Sequence, residues 1–338
     1  MSSDFATRLI AWQAAHGRRD LPWQRTRDPY RVWLSEIMLQ QTQVATVLGY
    51  YARFLDRFPT VAALAAADLA EVMPLWAGLG YYARARNLHA CAQAVMRDHG
   101  GAFPRSAQAL ARLPGIGRST AAAIAAFCFD ERAAILDGNV KRVLARHFAI
   151  GGDSAQAAVE RRLWTLAQSL LPDAPAGMPA YTQAVMDLGA TLCTRSQPRC
   201  NDCPLAASCI ARRDDRVDEL PAARARKAAP LRRAQMLVLL HAEAVLLQQR
   251  PPAGLWGGLL APPQYDDETQ LRAGLLALTG AANEPSALPP RRHAFTHFTL
   301  EFTPRLARLD RLPALHDAAL RWVPLAAIES QALPAPVK

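Results

Sequence analysis

Four cysteines within seventeen residues constrain this chain more than any other feature of its sequence. Cys193, Cys200, Cys203 and Cys209 follow the spacing C-x6-C-x2-C-x5-C. Four soft thiolates on one short loop can hold a 4Fe-4S iron-sulfur cluster, because each iron corner takes one such ligand. A tetrahedral zinc site is the alternative, but zinc loops usually pair their cysteines as two short C-x2-C or C-x4-C units. The unequal spacers favour the iron-sulfur cluster over zinc, and both over structural disulfides.

The charge balance favours a polyanionic partner. The 338 residues carry a net charge of +10, and nearly all the cationic side chains are arginines. A generic basic protein of this size is the alternative to one that binds nucleic acid. No apolar run approaches the length of about eighteen residues that a membrane span needs, and the amino terminus has no long apolar segment. We therefore expect a protein that is neither secreted nor inserted in a membrane.

The chain changes character near residue 212. In residues 1–212 apolar side chains recur at three- and four-residue spacings, which predicts a mainly α-helical domain. Residues 213–233 are charged and contain prolines, as is typical of a linker. Residues 234–338 contain short β-rich runs around one amphipathic segment and predict a small α+β domain.

Four elements are predicted within this second domain. The runs MLVLL and VLLQQR on either side of residues 241–244 indicate a β-hairpin. An amphipathic pattern predicts a helix over residues 267–279, and two strands are expected near residues 294–309 and 319–323.

A second motif occupies LPGIGRSTAAAIAAF, which begins at Leu113. A tight turn with Gly115 and Gly117, followed by a helix that opens at Ser119, predicts a helix-hairpin-helix over residues 106–128. Glycines let the backbone approach a ligand closely, and the amides at the start of the second helix attract a phosphate. Such a turn binds DNA without reading its sequence. LPGIG alone is also compatible with an ordinary turn between helices.

Several long motifs in fixed order resemble one protein family. They are LPWQRTRDPYRVWLSEIMLQQTQV, LWAGLGYYARARNLHACA, the hairpin, LDGNVKRV, the cysteine loop over residues 193–209, GLWGGLLAPP and AFTHF. Together they resemble the helix-hairpin-helix DNA glycosylases that carry an iron-sulfur loop, and within them the adenine-specific branch, whose second domain has a Nudix-like fold. The resemblance covers nearly the whole chain. It implies a monomer that binds double-stranded DNA with 8-oxoguanine:adenine or guanine:adenine mispairs, in the cytoplasm and at the bacterial nucleoid.

The resemblance implies a reaction that uses two carboxylates. Adenine leaves readily only as a neutral base, so its ring must be protonated, and the cationic sugar left behind needs a negative group nearby. Glu36 lies in an apolar and amide-rich helix, where desolvation should raise its pKa and keep a proton available. Asp137 is expected to be ionised and to face the sugar, with Asn139 positioning a carboxylate or the water. A solvated helix glutamate and an Asx turn before Gly138 are the alternative interpretations, and the second can coexist with catalysis.

The residue at position 119 separates two reaction types. Bifunctional relatives carry a lysine at the start of the second hairpin helix, where its amine attacks the sugar and leads to strand cleavage. Here the position is Ser119. We therefore expect a monofunctional enzyme that releases adenine and leaves an abasic site.

Base excision from a duplex also needs extrusion of the nucleotide. The resemblance implies that Tyr81 fills the vacated step and that Gln41 meets the orphaned partner base. It suggests an adenine pocket formed by Trp23, Leu39, Gln183 and Met186. Each of these pocket residues could equally belong to the core.

The second domain is expected to recognise the base opposite adenine. Phe295, Thr296 and His297 stand where the family commonly has Phe-Ser-His, and they are expected to meet 8-oxoguanine. The segment DDETQLRAGLLALTG lacks the acidic array that a Nudix hydrolase uses to hold magnesium. The domain should therefore bind the oxidised purine without hydrolysing a substrate.

Two other functions remain open from the sequence. A non-catalytic iron-sulfur DNA sensor would use the same hairpin and cluster, but it would be expected to lack Glu36 or Asp137, and both are present. A thymine- or uracil-mismatch glycosylase shares the iron-sulfur core, but the second domain argues against it.

Overall fold

The computed structural model describes residues 2–222, 229–252, 254–280, 284–295 and 297–337, and for Ser2 and Ser3 it describes the backbone alone. The chain divides into two compact units. The first consists of Met1–Ala66 and Asn87–Arg226, and the second of Ala67–Arg86 and Lys227–Lys338.

The described residues contain thirteen α-helices. In chain order they are α1 (Ser2–His16), α2 (Pro29–Leu39), α3 (Val44–Arg57), α4 (Val61–Ala66), α5 (Leu69–Trp76), α6 (Ala83–His99), α7 (Ala107–Leu110), α8 (Arg118–Phe129), α9 (Gly138–His147), α10 (Ala157–Ser169), α11 (Met178–Thr191), α12 (Ile210–Arg213) and α13 (Glu268–Thr279). Helices α5 and α13 belong to the second unit, as does the first turn of α6. The first unit is otherwise built from the remaining helices, so its mainly helical class is confirmed.

Helix α8 lies at the centre of the first unit because its side chains are small. All six residues from Ala121 to Ala126 are buried, and five of them are alanines. Alanine favours the helix and lets neighbouring helices approach closely. Helix α8 accordingly packs against α2, α7 and α11. This packing brings residues from distant parts of the sequence around one space.

The predicted helix-hairpin-helix consists of α7, a turn and α8. Gly115 has φ +73° in this turn, and a Cβ atom there would lie 2.6 Å from the Cβ atom of Asn87. Both the left-handed backbone and the close approach therefore require glycine. Leu113 is buried before the turn, and Gly117 is the N-cap of α8.

The second unit is built on one mixed sheet. Its strands are β1 (Leu231–His241), β2 (Ala244–Gln249), β3 (Leu260–Ala261), β4 (Gln264–Tyr265), β5 (Ser286–Ala287), β6 (Arg291–Ala294), β7 (Thr299–Leu309) and β8 (Leu320–Pro324). Strands β1 and β2 form the expected antiparallel hairpin, with His241 opposite Ala244. Strands β1 and β7 pair in parallel, and β8 pairs with β2.

Helix α13 covers one face of this sheet. It begins after Asp267, whose side chain accepts a hydrogen bond from the backbone N–H of Gln270. Leu271 and Leu275 pack in the apolar cluster under the helix, which includes Leu237 of β1. The α+β class predicted for this unit is confirmed.

The strand expected near residues 294–309 is divided in the structure. Strands β6 and β7 are antiparallel, with Arg291 opposite Phe302. The chain turns between them, where the backbone N–H of Phe295 donates to the carbonyl oxygen of Phe298 at 2.8 Å. The rings of these two phenylalanines stack at 4.7 Å. Two aromatic side chains close a hairpin where the sequence pattern indicates one long strand.

Candidate active site

A cavity of about 1280 Å³ opens in the first unit. It is bordered by the segment after α1 and by α2, α8, α9 and α11. Residues predicted from the sequence that line it are Trp23, Glu36, Leu39, Gln41, Ser119, Asp137, Asn139, Gln183 and Met186. Two of these carry carboxyl groups, which gives the cavity its acid-base capacity.

Glu36 projects from α2 at the cavity wall. The helix is fixed at its start by Asp28, whose side chain accepts a hydrogen bond from the backbone N–H of Tyr30 at 3.0 Å. The residues on either side of Glu36 are buried. Burial, and to a smaller extent the charge of Asp137, raises the pKa of Glu36 to about 8. Its carboxyl group therefore holds a proton at neutral pH.

Asp137 is the N-cap of α9. Its Oδ1 atom accepts a hydrogen bond from the backbone N–H of Val140 at 2.8 Å. Burial raises the pKa of Asp137, while the backbone N–H groups of Val140 and Asn139 and the nearby cation Arg142 oppose that rise. The capping geometry fixes the carboxylate at the positive end of the helix.

Asn139 is oriented by an arginine that the sequence reasoning missed. Arg142 lies one turn later on α9 and donates from Nη2 to Asn139 Oδ1 at 2.8 Å and to the carbonyl oxygen of Gly189 at 2.7 Å. Its Nε atom donates to the carbonyl oxygen of Cys193 at 2.7 Å. The amide oxygen of Asn139 is thus engaged, which leaves its NH₂ group for the cavity.

Ser119 joins α8 to the segment that leads into Asp137. Its Oγ atom accepts a hydrogen bond from the backbone N–H of Leu136 at 2.9 Å. Lys141, on α9 beyond Asp137, forms an ion pair with Glu160 at 2.6 Å. The lysine amine is therefore held by a carboxylate outside the set of residues that line the cavity.

The cavity is also bordered by Trp23 before α2, by Leu39 at the last position of α2 and by Gln41 just after it. Trp23 is buried and its ring meets Tyr51 edge to face at 5.3 Å. Gln41 is exposed just after the end of α2 and has φ +57°. This left-handed conformation is uncommon for a residue with a side chain and turns the chain sharply. Leu113, Gly115 and Gly117 of the hairpin are not among the residues that line the cavity.

Two of the four cysteines, Cys193 and Cys209, contact Arg146 at the end of α9. Arg146 is only 3% exposed and donates to Cys193 Sγ at 3.5 Å and to the carbonyl oxygen of Thr194 at 2.7 Å. The thiol of Cys209 points at the carbonyl oxygen of Arg146, at 3.7 Å. Burial raises the pKa of Cys203 to about 11, and the other three sulfurs add to that rise because they lie close by. Among the described residues, no three His, Cys, Asp or Glu side chains stand in an arrangement that holds a metal ion.

Three further residues expected to contact the mispair, Tyr81, Phe295 and His297, lie in the second unit. Tyr81 is 47% exposed with φ +47°, and the Arg84 guanidinium lies 5.6 Å from its ring centroid. Phe295 is packed between His293, at 4.6 Å, and Phe298. His297 is exposed. Thr296 lies outside the described residues.

Arg18 and Asp187 also belong to the site, and the sequence reasoning did not include them. Arg18 lines the cavity, and Asp187 is fully buried behind it. The available signal was that Asp187 is the only charged residue between Asp173 and Arg195. No helix of the described chain is both long and apolar enough to cross a lipid bilayer.

Two families of proteins match the two parts of the chain. Residues 34–169 match the HhH-GPD superfamily base excision DNA repair proteins, and residues 235–338 match the NUDIX domain. The first match contains Glu36, the hairpin and Asp137, so it covers the two carboxyl groups of the cavity.

Similar proteins match much longer segments. An adenine DNA glycosylase from Buchnera aphidicola subsp. Baizongia pistaciae is 35% identical over 301 residues, covering 89% of this chain and 85% of that protein. A human adenine DNA glycosylase is 46% identical over 225 residues, covering 64% of this chain and 41% of that protein. The solved structure of a thermostable thymine-DNA glycosylase superposes with a TM-score of 0.56 at 29% identity, covering 63% of this chain and 97% of that one.

Proposed function

The chain belongs to the adenine DNA glycosylases, which are enzymes of base excision repair, and we propose that Glu36 and Asp137 carry out the cleavage. The observation that supports this most strongly is a carboxyl group whose pKa is raised to about 8, beside a second carboxyl group in one cavity. Two carboxyl groups at one site can serve as acid and as negative counter-charge in one reaction.

Glu36 acts as the general acid. Near neutral pH it holds a proton, and it delivers this proton to the adenine ring, at N7, as the glycosidic bond lengthens. The base then leaves uncharged. Because burial raises the pKa of Glu36, its carboxyl group stays protonated up to about pH 8.

Asp137 stabilises the cationic sugar. Burial raises the pKa of Asp137, and the backbone N–H groups at the start of α9 oppose that rise; in its ionised form the carboxylate supplies the opposite charge as the base departs. Asn139 offers its free NH₂ group to that carboxylate or to the attacking water, because Arg142 occupies its oxygen. The bond to adenine breaks, water adds to the sugar, and an abasic site remains.

The reaction ends at the abasic site. Ser119 occupies the position where a lysine would attack the sugar, and its hydroxyl already accepts a hydrogen bond from Leu136. Lys141 is paired with Glu160. No amine among the described residues is placed to form a Schiff base in the cavity, in keeping with a monofunctional enzyme.

Cys193, Cys200, Cys203 and Cys209 hold a 4Fe-4S cluster. The support for this is their spacing, the closeness of the four sulfurs to one another, and a donor set of thiols alone, which suits iron-sulfur clusters. A cluster of this kind supplies no step of the hydrolysis. Its part is to order the loop over residues 193–209, and the arginines of this loop bind the DNA backbone.

The substrate is double-stranded DNA in which adenine faces 8-oxoguanine or guanine. The helix-hairpin-helix binds a phosphate through Gly115, Gly117 and the start of α8. Gln41 meets the orphaned base, and Tyr81 fills the vacated step. The turn with Phe295 and His297 recognises 8-oxoguanine, and it does so by binding alone.

One assay tests this assignment of substrate. Single-turnover adenine release is measured on 8-oxoguanine:adenine and guanine:adenine duplexes, with a guanine:thymine duplex beside them, at matched salt. We expect release of adenine and not thymine, and His297→Ala should slow the 8-oxoguanine duplex more than the guanine duplex. His316→Ala, an exposed histidine of the same unit, is the control. Equal slowing of both duplexes by His297→Ala would contradict the recognition role.

A further inference from the structure

An ion pair between a buried aspartate and a partly exposed arginine lies at the cavity wall. Asp187 on α11 is 0% exposed, and its only cationic partner in the described structure is Arg18, 169 positions earlier in the chain. The backbone N–H of Arg18 donates to Oδ2 at 3.0 Å. Its Nε and Nη2 atoms lie 2.7 Å and 2.6 Å from Oδ1. Both carboxylate oxygens of Asp187 are therefore acceptors.

Gln183 connects this pair to the cavity. It lies one turn before Asp187 on α11 and lines the cavity. Its Nε2 atom donates to Asp187 Oδ1 at 2.8 Å. A side-chain amide can rotate to exchange its oxygen and nitrogen, and only its partners determine the orientation. A carboxylate that already accepts from Arg18 has no proton to donate, so the amide nitrogen must face it.

The orientation of Gln183 determines which hydrogen bond it offers to a ligand. With its NH₂ group engaged by Asp187, its carbonyl oxygen is left to accept a hydrogen bond in the cavity. Adenine carries an NH₂ group at C6, whereas hypoxanthine carries a carbonyl there, with the same ring system. An acceptor in the cavity therefore suits the first base and repels the second.

We propose that the Arg18–Asp187 ion pair is a positioning device, which fixes the amide of Gln183 as a hydrogen-bond acceptor so that the cavity selects bases with an exocyclic amino group. This inference rests on the proposed function, since it assumes that the extruded base enters this cavity. It also gives a reason for the ion pair. The cost of desolvating the buried carboxylate of Asp187 offsets its attraction to Arg18, whose side chain is 32% exposed, so the pair contributes little net stability, whereas the geometry it imposes is well defined.

Asp187→Asn tests the proposal with a nearly isosteric change. An asparagine can place an NH₂ group where Asp187 has an oxygen, so the amide of Gln183 can reverse and present its own NH₂ group to the cavity. The assay compares single-turnover release of adenine and of hypoxanthine from duplexes with guanine opposite each base. We expect the adenine-to-hypoxanthine rate ratio to fall at least about tenfold relative to wild type, the effect of reversing one buried hydrogen bond.

Two controls separate positioning from general damage. Asp173→Asn changes an exposed aspartate of the same unit and should leave the ratio unchanged. In a Gln183→Leu background, Asp187→Asn should have no further effect on the ratio, because the group that it positions is gone. The proposal would be overturned if Asp187→Asn slowed the release of both bases equally. It would also be overturned if Asp187→Asn lowered the adenine-to-hypoxanthine rate ratio as much in the Gln183→Leu background as in wild type.

If Asp187→Asn does not fold, a second substrate tests the acceptor role of Gln183. Unsubstituted purine lacks the amino group. The adenine-to-purine ratio of release rates should therefore be at least about tenfold higher for wild type than for Gln183→Leu. An equal effect of Gln183→Leu on purine and adenine would overturn the acceptor role. A wild-type protein that releases no adenine would instead refute the proposed function itself.

Discussion

Replacing Glu36 by glutamine should remove activity and at the same time stabilise the protein. In the folded state burial raises the pKa of Glu36 from an ordinary 4.5 to about 8. The folded protein therefore binds this proton more tightly than the unfolded chain does. Between these two pKa values, unfolding releases the proton, so the stability of wild type falls as the pH rises from about 4.5 to about 8 and then levels off. Glutamine cannot ionise and does not incur this loss.

The size of the effect follows from the two pKa values. Each pH unit between them changes the free energy of unfolding by about 1.4 kcal/mol. The gain from Glu36→Gln should then be about 1.4 kcal/mol at pH 5.5 and about 4.6 kcal/mol at pH 8.5, a difference of about 3 kcal/mol. Because Glu36 is partly accessible from the cavity, solvent access reduces the gain below these values.

The assay is thermal unfolding of both proteins at the two pH values and at one scan rate. A difference of about 3 kcal/mol corresponds to roughly 6–12 °C in Tm for a unit of this size. Glu160→Gln, at a glutamate paired with Lys141 on the surface, controls for the amide substitution itself. If Glu36→Gln raised Tm equally at pH 5.5 and 8.5, or at neither pH, the conclusion that Glu36 is desolvated would be refuted.

Three further changes test other parts of the account. Asp137→Asn should bind the duplex but release adenine at least about a hundredfold more slowly, since the sugar cation loses its counter-charge; full single-turnover activity would defeat the two-carboxylate scheme. Gly115→Ala should destabilise the protein by about 1–3 kcal/mol in urea unfolding, because the new Cβ meets Asn87 at a left-handed position, whereas Gly151→Ala, with open space around it, should cost about 1 kcal/mol or less. Purified protein should be brown with about four irons per chain, and Cys200→Ser should lose iron and weaken DNA binding; zinc without iron in anaerobic preparations would overturn the cluster.

The sequence predicted the fold class because its signals are local. The first unit is predicted by helical spacing and by the glycine turn at residues 115–117. In the second unit, short patterns predict the β1–β2 hairpin and the helix at 267–279, and the structure confirms both. The division at residues 295–298 was missed because two stacked phenylalanines close that turn, and no glycine or proline marks it. The grouping of residues 67–86 with the second unit also has no local signal.

The candidate site was only partly accessible from the sequence. Sequence motifs predict the residues that line the cavity, but they do not predict the side chains that orient those residues. Arg142 lies in a basic stretch, LDGNVKRV, where a cation alone does not indicate that it bonds to Asn139. Asp187 is conspicuous in an apolar helix, yet nothing in the pattern identifies Arg18 as its partner. Long-range ion pairs of this kind depend on how helices pack.

The most direct test of the central claim is the pH dependence of single-turnover adenine release. If Glu36 delivers the proton from a pKa of about 8, the rate of wild type should be insensitive to this group below about pH 7.5 and should fall close to tenfold per pH unit above about pH 8.5. Glu36→Gln should bind the duplex and release almost no adenine at any pH. A wild-type rate that stays constant to pH 9.5, or normal release by Glu36→Gln, would contradict the assignment of Glu36 as the acid.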